Sequence, residues 1–307
     1  MDSANKQDAI VTESTQNTTP STPSFLLGRF TSVGGSPQRN SVRSPERRAD
    51  RMMASMVTGL NGFQKSISGV WCRDAANDVL LQSLLNGAYS SNVLKNGSTA
   101  SFFTLEEKYE GGATDPYRRA TGCQVDSMAM SYRMGEAIQC NWSIRHMGEA
   151  TAATAIAGAT YAAASPGYDP VSTVDVAVTS MFGLTSPKVV GLDMTITNNM
   201  NSLHSFGSAN PWGLSNGLFD ISGTLQVYLS AAADYSTFTT RQTGLTFNIT
   251  LGSVTNQKDK IEMGNVHAYN PDISDPGATG QHMVSIPFSA AYYAPDTAAI
   301  KWTRLVA

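Results

Sequence analysis

The chain has 307 residues, enough for one large domain or two modest ones at about 100–200 residues per domain. Only 15% are charged and 41% hydrophobic, a balance that excludes helical bundles and coiled coils, whose solvent faces need abundant Glu and Lys. The net charge of −3 is unevenly split, with 7 Lys+Arg against 5 Asp+Glu in residues 1–60 and 14 against 19 in residues 61–307, so the body has no basic field to hold nucleic acid by counterion release.

Residues 1–44 are rich in Ser, Thr, Asn, Gln, Pro and Gly around one apolar island, Phe25-Leu26-Leu27. Such a stretch buries too little surface to offset chain entropy by itself, which predicts a flexible N-terminal arm that orders only against a partner. Met1 to Pro20 lacks the apolar core of a signal peptide, and no apolar run reaches the ~18–20 residues of a membrane span, so a cytosolic chain without a membrane anchor is expected. Arg39, Arg43, Arg47, Arg48 and Arg51 follow the leader. They read either as a solvated basic linker or, for Arg47, Arg48 and Arg51, as a clamp onto an acidic neighbour.

One short helix is well specified. Asp74 is placed to accept from first-turn amides, Val79, Leu80, Leu84 and Leu85 share a face, and Gly87 is the expected stop. Beyond it the period changes to two. Ile138, Cys140, Trp142, Ile144 and His146 alternate with polar residues, as do Val190 to Ile196, Phe219 to Leu229 and Leu245 to Leu251. Each is a strand with one apolar and one wet face. Met128 to Tyr132, Val284 to Phe288 and Ile300 to Trp302 add shorter members, and the sum is a mainly β chain: an antiparallel sandwich or barrel with one flanking α-helix. An Ala/Gly-rich stretch at about 149–187 is too small-residued for its own core and reads as an insertion within a domain spanning 45–307.

No reaction centre is advertised. His146, His204, His267 and His282 form no ligand-spaced pair, and no phosphate loop, nucleophile elbow or dinucleotide fingerprint occurs, so neither a catalytic residue, a metal nor a cofactor is assigned. Glu106 and Glu107 are neighbours in a strand context and point to opposite faces, so they do not share a proton or a metal. Asp272 and Asp275 read as turn formers or as a weak Ca²⁺ site. Cys72, Cys123 and Cys140 follow no disulfide or CxxC spacing and read as reduced core residues.

The order of motifs is more informative than any one of them. The run Phe103-Thr104-Leu105-Glu106-Glu107-Lys108-Tyr109, then Tyr117 to Met128 with Gly122 and Cys123 inside it, then Leu192 to Asn199 ending in Asn198-Asn199, then Gly217 to Tyr228 with Gly223 at its centre, resembles the tail tube proteins of long-tailed bacteriophages over roughly residues 45–307. That resemblance implies a β-sandwich protomer that forms rings, usually hexameric, stacked into the virion tube through which DNA is ejected. It implies as partners further copies of the chain, the tail tip, the terminator, the tape measure in the lumen and DNA in transit, with assembly in the host cytoplasm. The leader and the Ala-rich insertion depart from the family pattern. A tail-tip or baseplate ring protein of the same fold is the nearest alternative. An adhesin using Trp212, Tyr292 and Tyr293 as a sugar platform is a further one, and an enzyme comes last.

Overall fold

The computed structural model describes residues 5–110, 115–164, 171–178, 180–185, 187–228, 242–274 and 280–306. The leader supplies β1 (Lys6–Glu13), β2 (Ser24–Leu27) and β3 (Ser32–Gly34), then a hairpin of β4 (Gln38–Arg43) and β5 (Met56–Gly62). β6 (Gln64–Val70) leads into the helix α1 (Ala75–Leu85), β7 (Val93–Lys95), β8 (Phe102–Tyr109) and the 17-residue β9 (Tyr117–Arg133). β10 (Gln139–Arg145), β11 (Gly148–Ala152) and β12 (Thr160–Ala162) follow, then the two-residue strands β13 (Val176–Ala177), β14 (Ser180–Met181) and β15 (Leu184–Thr185), and then β16 (Val189–Thr197). The chain continues through β17 (Asn201–Leu203), β18 (Gly213–Ser215), β19 (Asp220–Tyr228), β20 (Gln242–Leu251), β21 (Lys258–Ala268), β22 (Asp272–Ser274), β23 (Met283–Ala290) and β24 (Lys301–Val306).

The strand β9 organises the molecule. Its first residues pair with β8 and β11, and from Gln124 onward it pairs with β10 and β16. Between the two halves lies Gly122 in the left-handed region (φ 61°), where glycine is the least strained residue. The bend lets one strand serve two sheet regions, and it hides the full length of β9 from a periodicity reading that resolves only Met128 to Tyr132.

From β9 the sheet runs outward as β10, β6 and β3 on one side and as β16, β19 and β23 on the other. At β23 it folds back. β21 pairs with β23 through Val266–Ala268 and with β24 through Lys258–Glu262, while β20 covers its opposite edge. Phe288 of β23 meets Phe247 of β20 at 5.7 Å and Phe182 at 5.2 Å between ring centroids, closing an apolar core in a β-sandwich-like arrangement. The sheet is mixed, because β12 runs parallel to β2.

The helix begins where expected, with the Asp74 carboxylate accepting from the Ala76 amide. It ends one residue early: Asn86, not Gly87, takes the left-handed cap (φ 48°). Eight of the eleven residues of α1 are buried, and the less covered side of this flanking helix carries Ala75, Asp78 and Gln82.

The leader differs most from its sequence reading. Over residues 5–34 it is part of the sheet: β1 pairs with β8 through eight registered positions, and Ala9, Ile10, Val11 and Phe25 are buried. Composition weighs a segment as if it must fold alone, whereas β1 only has to complete an existing edge. Residue 44 accordingly marks no boundary in the sheet. The Ala-rich stretch is also partly built in, as β11 along β9 and β12 along β2, with residues 165–170 lying outside the described residues.

Candidate functional site

The six strands β6, β10, β9, β16, β19 and β23 present one apolar and one polar face. The apolar face carries Trp142, Met128, Met130, Met194, Ile196, Leu225 and Ile286, all buried. On the opposite face the register places Ser68, Asn141, Ala129, Thr195, Ser222 and Ser289 in one row across all six strands. Gln139, Ser131, Asp193 and Thr224 form the next row, closed at its ends by Val70 and Pro287, and Ser66, Ser143, Ser127 and Thr197 form another. It is a carpet of hydroxyls and amides that water can solvate without a cationic field.

The charges on this face are few and paired. Arg133 Nη2 donates to Asp193 Oδ2 at 2.6 Å, and Arg145 Nε donates to Asp126 Oδ2 at 2.9 Å. Both carboxylates are held from a second side: Asp193 Oδ1 accepts from the Ser131 hydroxyl at 2.8 Å, and Asp126 Oδ1 accepts from the Met200 amide at 2.8 Å. Asp220 is the remaining charge on this face of the six strands, and β22 at the edge adds Asp272. Any excess charge is therefore acidic.

A second surface has the opposite character. β4 and β5 form their own two-stranded sheet, and every residue of β4 is exposed. Val42, Met52, Met53, Met56, Val57 and Leu60 are all exposed along it, Met52 by 68%. The loop between the strands carries Arg47, Arg48 and Arg51, all exposed. Arg48 pairs with its neighbour Asp50 at 2.9 Å, and Arg51 sits in the left-handed region (φ 60°). Anchoring occurs at the hairpin base, where Asn61 N donates to Ala209 O (2.9 Å) and Asn61 Nδ2 to Asn210 Oδ1 (2.6 Å) in the β17–β18 connection. That connection also exposes Phe206 and Trp212. An isolated two-stranded hairpin is marginal in water, so this much exposed apolar surface makes the hairpin a candidate contact surface.

The remaining positions singled out in the sequence are explained by packing. Asn198 is buried and its Nδ2 donates to Leu84 O and Val125 O, joining the end of α1 to β9, while its Oδ1 accepts from Asn86. Gln124 in turn donates to Asn86 Oδ1 and Asn216 Oδ1. Asn199 turns the chain after β16 at φ 48° and donates to Leu218 O. Gly223 lies under the Phe288 ring: a Cβ there would sit 2.5 Å from Phe288 Cζ and 2.4 Å from Asp193 O. The Gly122 amide donates to Glu13 Oε1 at 3.0 Å, and Cys123 is buried, with its thiol pKa pushed up by burial.

Glu106 and Glu107 do point to opposite faces, and both are buried. Glu106 accepts from Arg119 and Tyr161, whereas Glu107 accepts from Lys65 at 2.6 Å and from Tyr109. Lys65 also reaches Glu149 at 3.4 Å, and Arg118 pairs with Glu149. His146 lies beside this cluster without exposure, its Nδ1 donating to Gly148 O at 3.1 Å and its ring against Phe63. Burial pushes its pKa down to about 4, which keeps it neutral. The carboxylates and cations here pair with one another within the protomer.

Among the described residues no group of three or more His, Cys, Asp or Glu side chains is placed to hold a metal. The three cysteines are buried and free, and burial raises the Cys72 pKa to about 11, far from a reactive thiolate. Asp272 opens β22, and Asp275 lies outside the described residues. Trp212 and Tyr292 are exposed, while Tyr293 packs against Gly264.

The family model for phage tail tube proteins matches residues 3–290. The chain belongs to that family. It is a structural protein of the virion, located in the phage tail, and not an enzyme; membership carries with it oligomeric assembly and association with other tail proteins. No curated protein matches the chain. The family match begins at residue 3, which agrees with β1 being integral to the sheet.

Proposed function

We propose that this tail tube protein forms stacked, hexameric rings with the polar face of β6, β10, β9, β16, β19 and β23 lining the bore through which DNA is ejected. The observation that carries this reading is the face itself: six strands rich in Ser, Thr, Asn and Gln whose two Arg side chains are each paired to an Asp of the same subunit. A wall with unpaired cations would hold phosphates at every ring, whereas a neutral to acidic wall lets the polymer slide. The same face would meet the tape measure before DNA enters, and the ends of the tube would meet the tail tip and the terminator.

The β4–β5 hairpin supplies the subunit contact in this reading. Its Met and Val side chains are to be covered by a neighbouring copy, and Arg47, Arg48 and Arg51 dock onto the acidic body of that copy. The test is negative-stain electron microscopy of the full chain with sedimentation velocity. Native protein should give tubes or stacked rings. The variant Arg47→Glu, Arg48→Glu, Arg51→Glu should give folded protomers that do not stack, and unchanged tubes would sink the clamp. A single ring that never polymerises would favour the tail-tip role. Deleting residues 1–44 would not serve as a test, because it removes β1 from the core.

A further inference from the structure

We infer that Asp126 and Asp193 are charge-masking residues, whose purpose is to keep Arg145 and Arg133 from gripping the phosphates of DNA in transit; this rests on the reading that their face lines the bore.

The pairs are on the wet side of the sheet and not in the core. In the Arg133–Asp193 pair both side chains are close to half exposed, 43% and 45%. Exposed pairs of this kind contribute little to stability, so folding gives weak reason to keep this one; the Arg145–Asp126 side chains are more covered, 32% and 13% exposed, but lie on the same face. The geometry is better suited to fixing the carboxylates than to strengthening the fold. Each Asp is oriented by a second donor within the subunit, the Ser131 hydroxyl for Asp193 and the Met200 amide for Asp126, so each carboxylate stays in place facing its guanidinium. A guanidinium is a strong bidentate phosphate binder when free. The mask also sets the sign of the wall. With both Asp in place the six strands carry two Arg and three Asp on this face; without them they carry two Arg and one Asp, a change from net −1 to net +1 in every subunit.

The experiment compares intact tubes of the native chain with tubes of Asp126→Asn/Asp193→Asn, in which each Asn oxygen still accepts from Met200 or Ser131. The probe is a short fluorescent DNA duplex, and the readout is the amount retained by the tubes as a function of salt. Native tubes should retain almost none. The double variant should retain at least about tenfold more at low salt, with a retention that falls steeply with added salt, at a slope of about 0.9 per phosphate contacted. Adding Arg133→Gln and Arg145→Gln to that variant should return retention to the native level. Equal retention by native and double-variant tubes would overturn the inference, as would retention that persists after both Arg are removed. If the double variant assembles poorly, Asp193→Asn alone carries the same prediction at the more exposed pair.

Failure of the bore reading is detected separately. Thr195→Cys, in the middle of the face, should react in intact tubes with a small maleimide and resist one coupled to a large polymer. Reaction with both would place the face on the outside and remove the bore assignment together with the masking role.

Discussion

The polar sheet face and the β4–β5 hairpin are both solvent-accessible in the protomer, yet they are built on opposite terms. The sheet face keeps its accounts inside the subunit: its Arg side chains find Asp partners on adjacent strands, and most of its remaining side chains are hydroxyls and amides. The hairpin leaves Met52, Met53, Met56 and Val57 uncovered, and among the described residues Arg47 and Arg51 have no ion-pair partner. A surface that satisfies itself can remain against water and a passing polymer, whereas one that does not requires another chain. In the proposed assembly the difference separates a lining from a joint.

The largest effect is expected at the β4–β5 hairpin. Met52→Ser/Met53→Ser/Met56→Ser should abolish tubes in electron micrographs while the protomer's melting temperature stays put, since exposed positions usually move stability by no more than about 0.5 kcal/mol. Tubes in normal yield would show that the hairpin is not the contact. Next in size is Lys65→Met, which strips Glu107 and Glu149 of a buried cation and should cost about 3–5 kcal/mol in denaturant unfolding of the protomer. Gly223→Ala forces a methyl against Asp193 O and the Phe288 ring and should cost about 1–3 kcal/mol.

A smaller effect is expected from His146. Its folded pKa of about 4 lies below the ~6.5 of an unfolded histidine, so the unfolded chain takes up a proton first as the pH falls. The stability contributed by the neutral ring is complete above pH ~6.5 and is lost as the pH drops toward 4. Melting temperatures measured across that window should fall in the native protein and fall less in His146→Gln. Smallest of all, Thr195→Ala on the polar face should leave both protomer stability and tube yield unchanged, because its side chain is exposed and meets only water in this account.

Much of this was legible in the sequence where one element carries its own signal. The period-two runs around Trp142, Met194, Leu225 and Ile286 place the apolar and polar faces directly, and Asp74 marks the start of α1. The Arg cluster was visible as well, although not that it rides on a hairpin. What was hidden depends on partners distant in the chain. β1 is a strand because β8, about a hundred residues later, offers an edge, and the polar knot at the end of α1 joins Asn86, Gln124, Asn198 and Asn216 from four separate segments. The charge pairs on the lining were equally unreadable. Arg133 and Asp193 are 60 residues apart and meet only through the pairing of β9 with β16.

The most direct test of the central claim is a cryo-electron microscopy reconstruction of the assembled tube at side-chain resolution. The row Ser68, Asn141, Ala129, Thr195, Ser222 and Ser289 should face the bore, and the β4–β5 hairpin should lie against a neighbouring subunit. A bore lined by any other surface, or a hairpin left free in solvent, would contradict the claim.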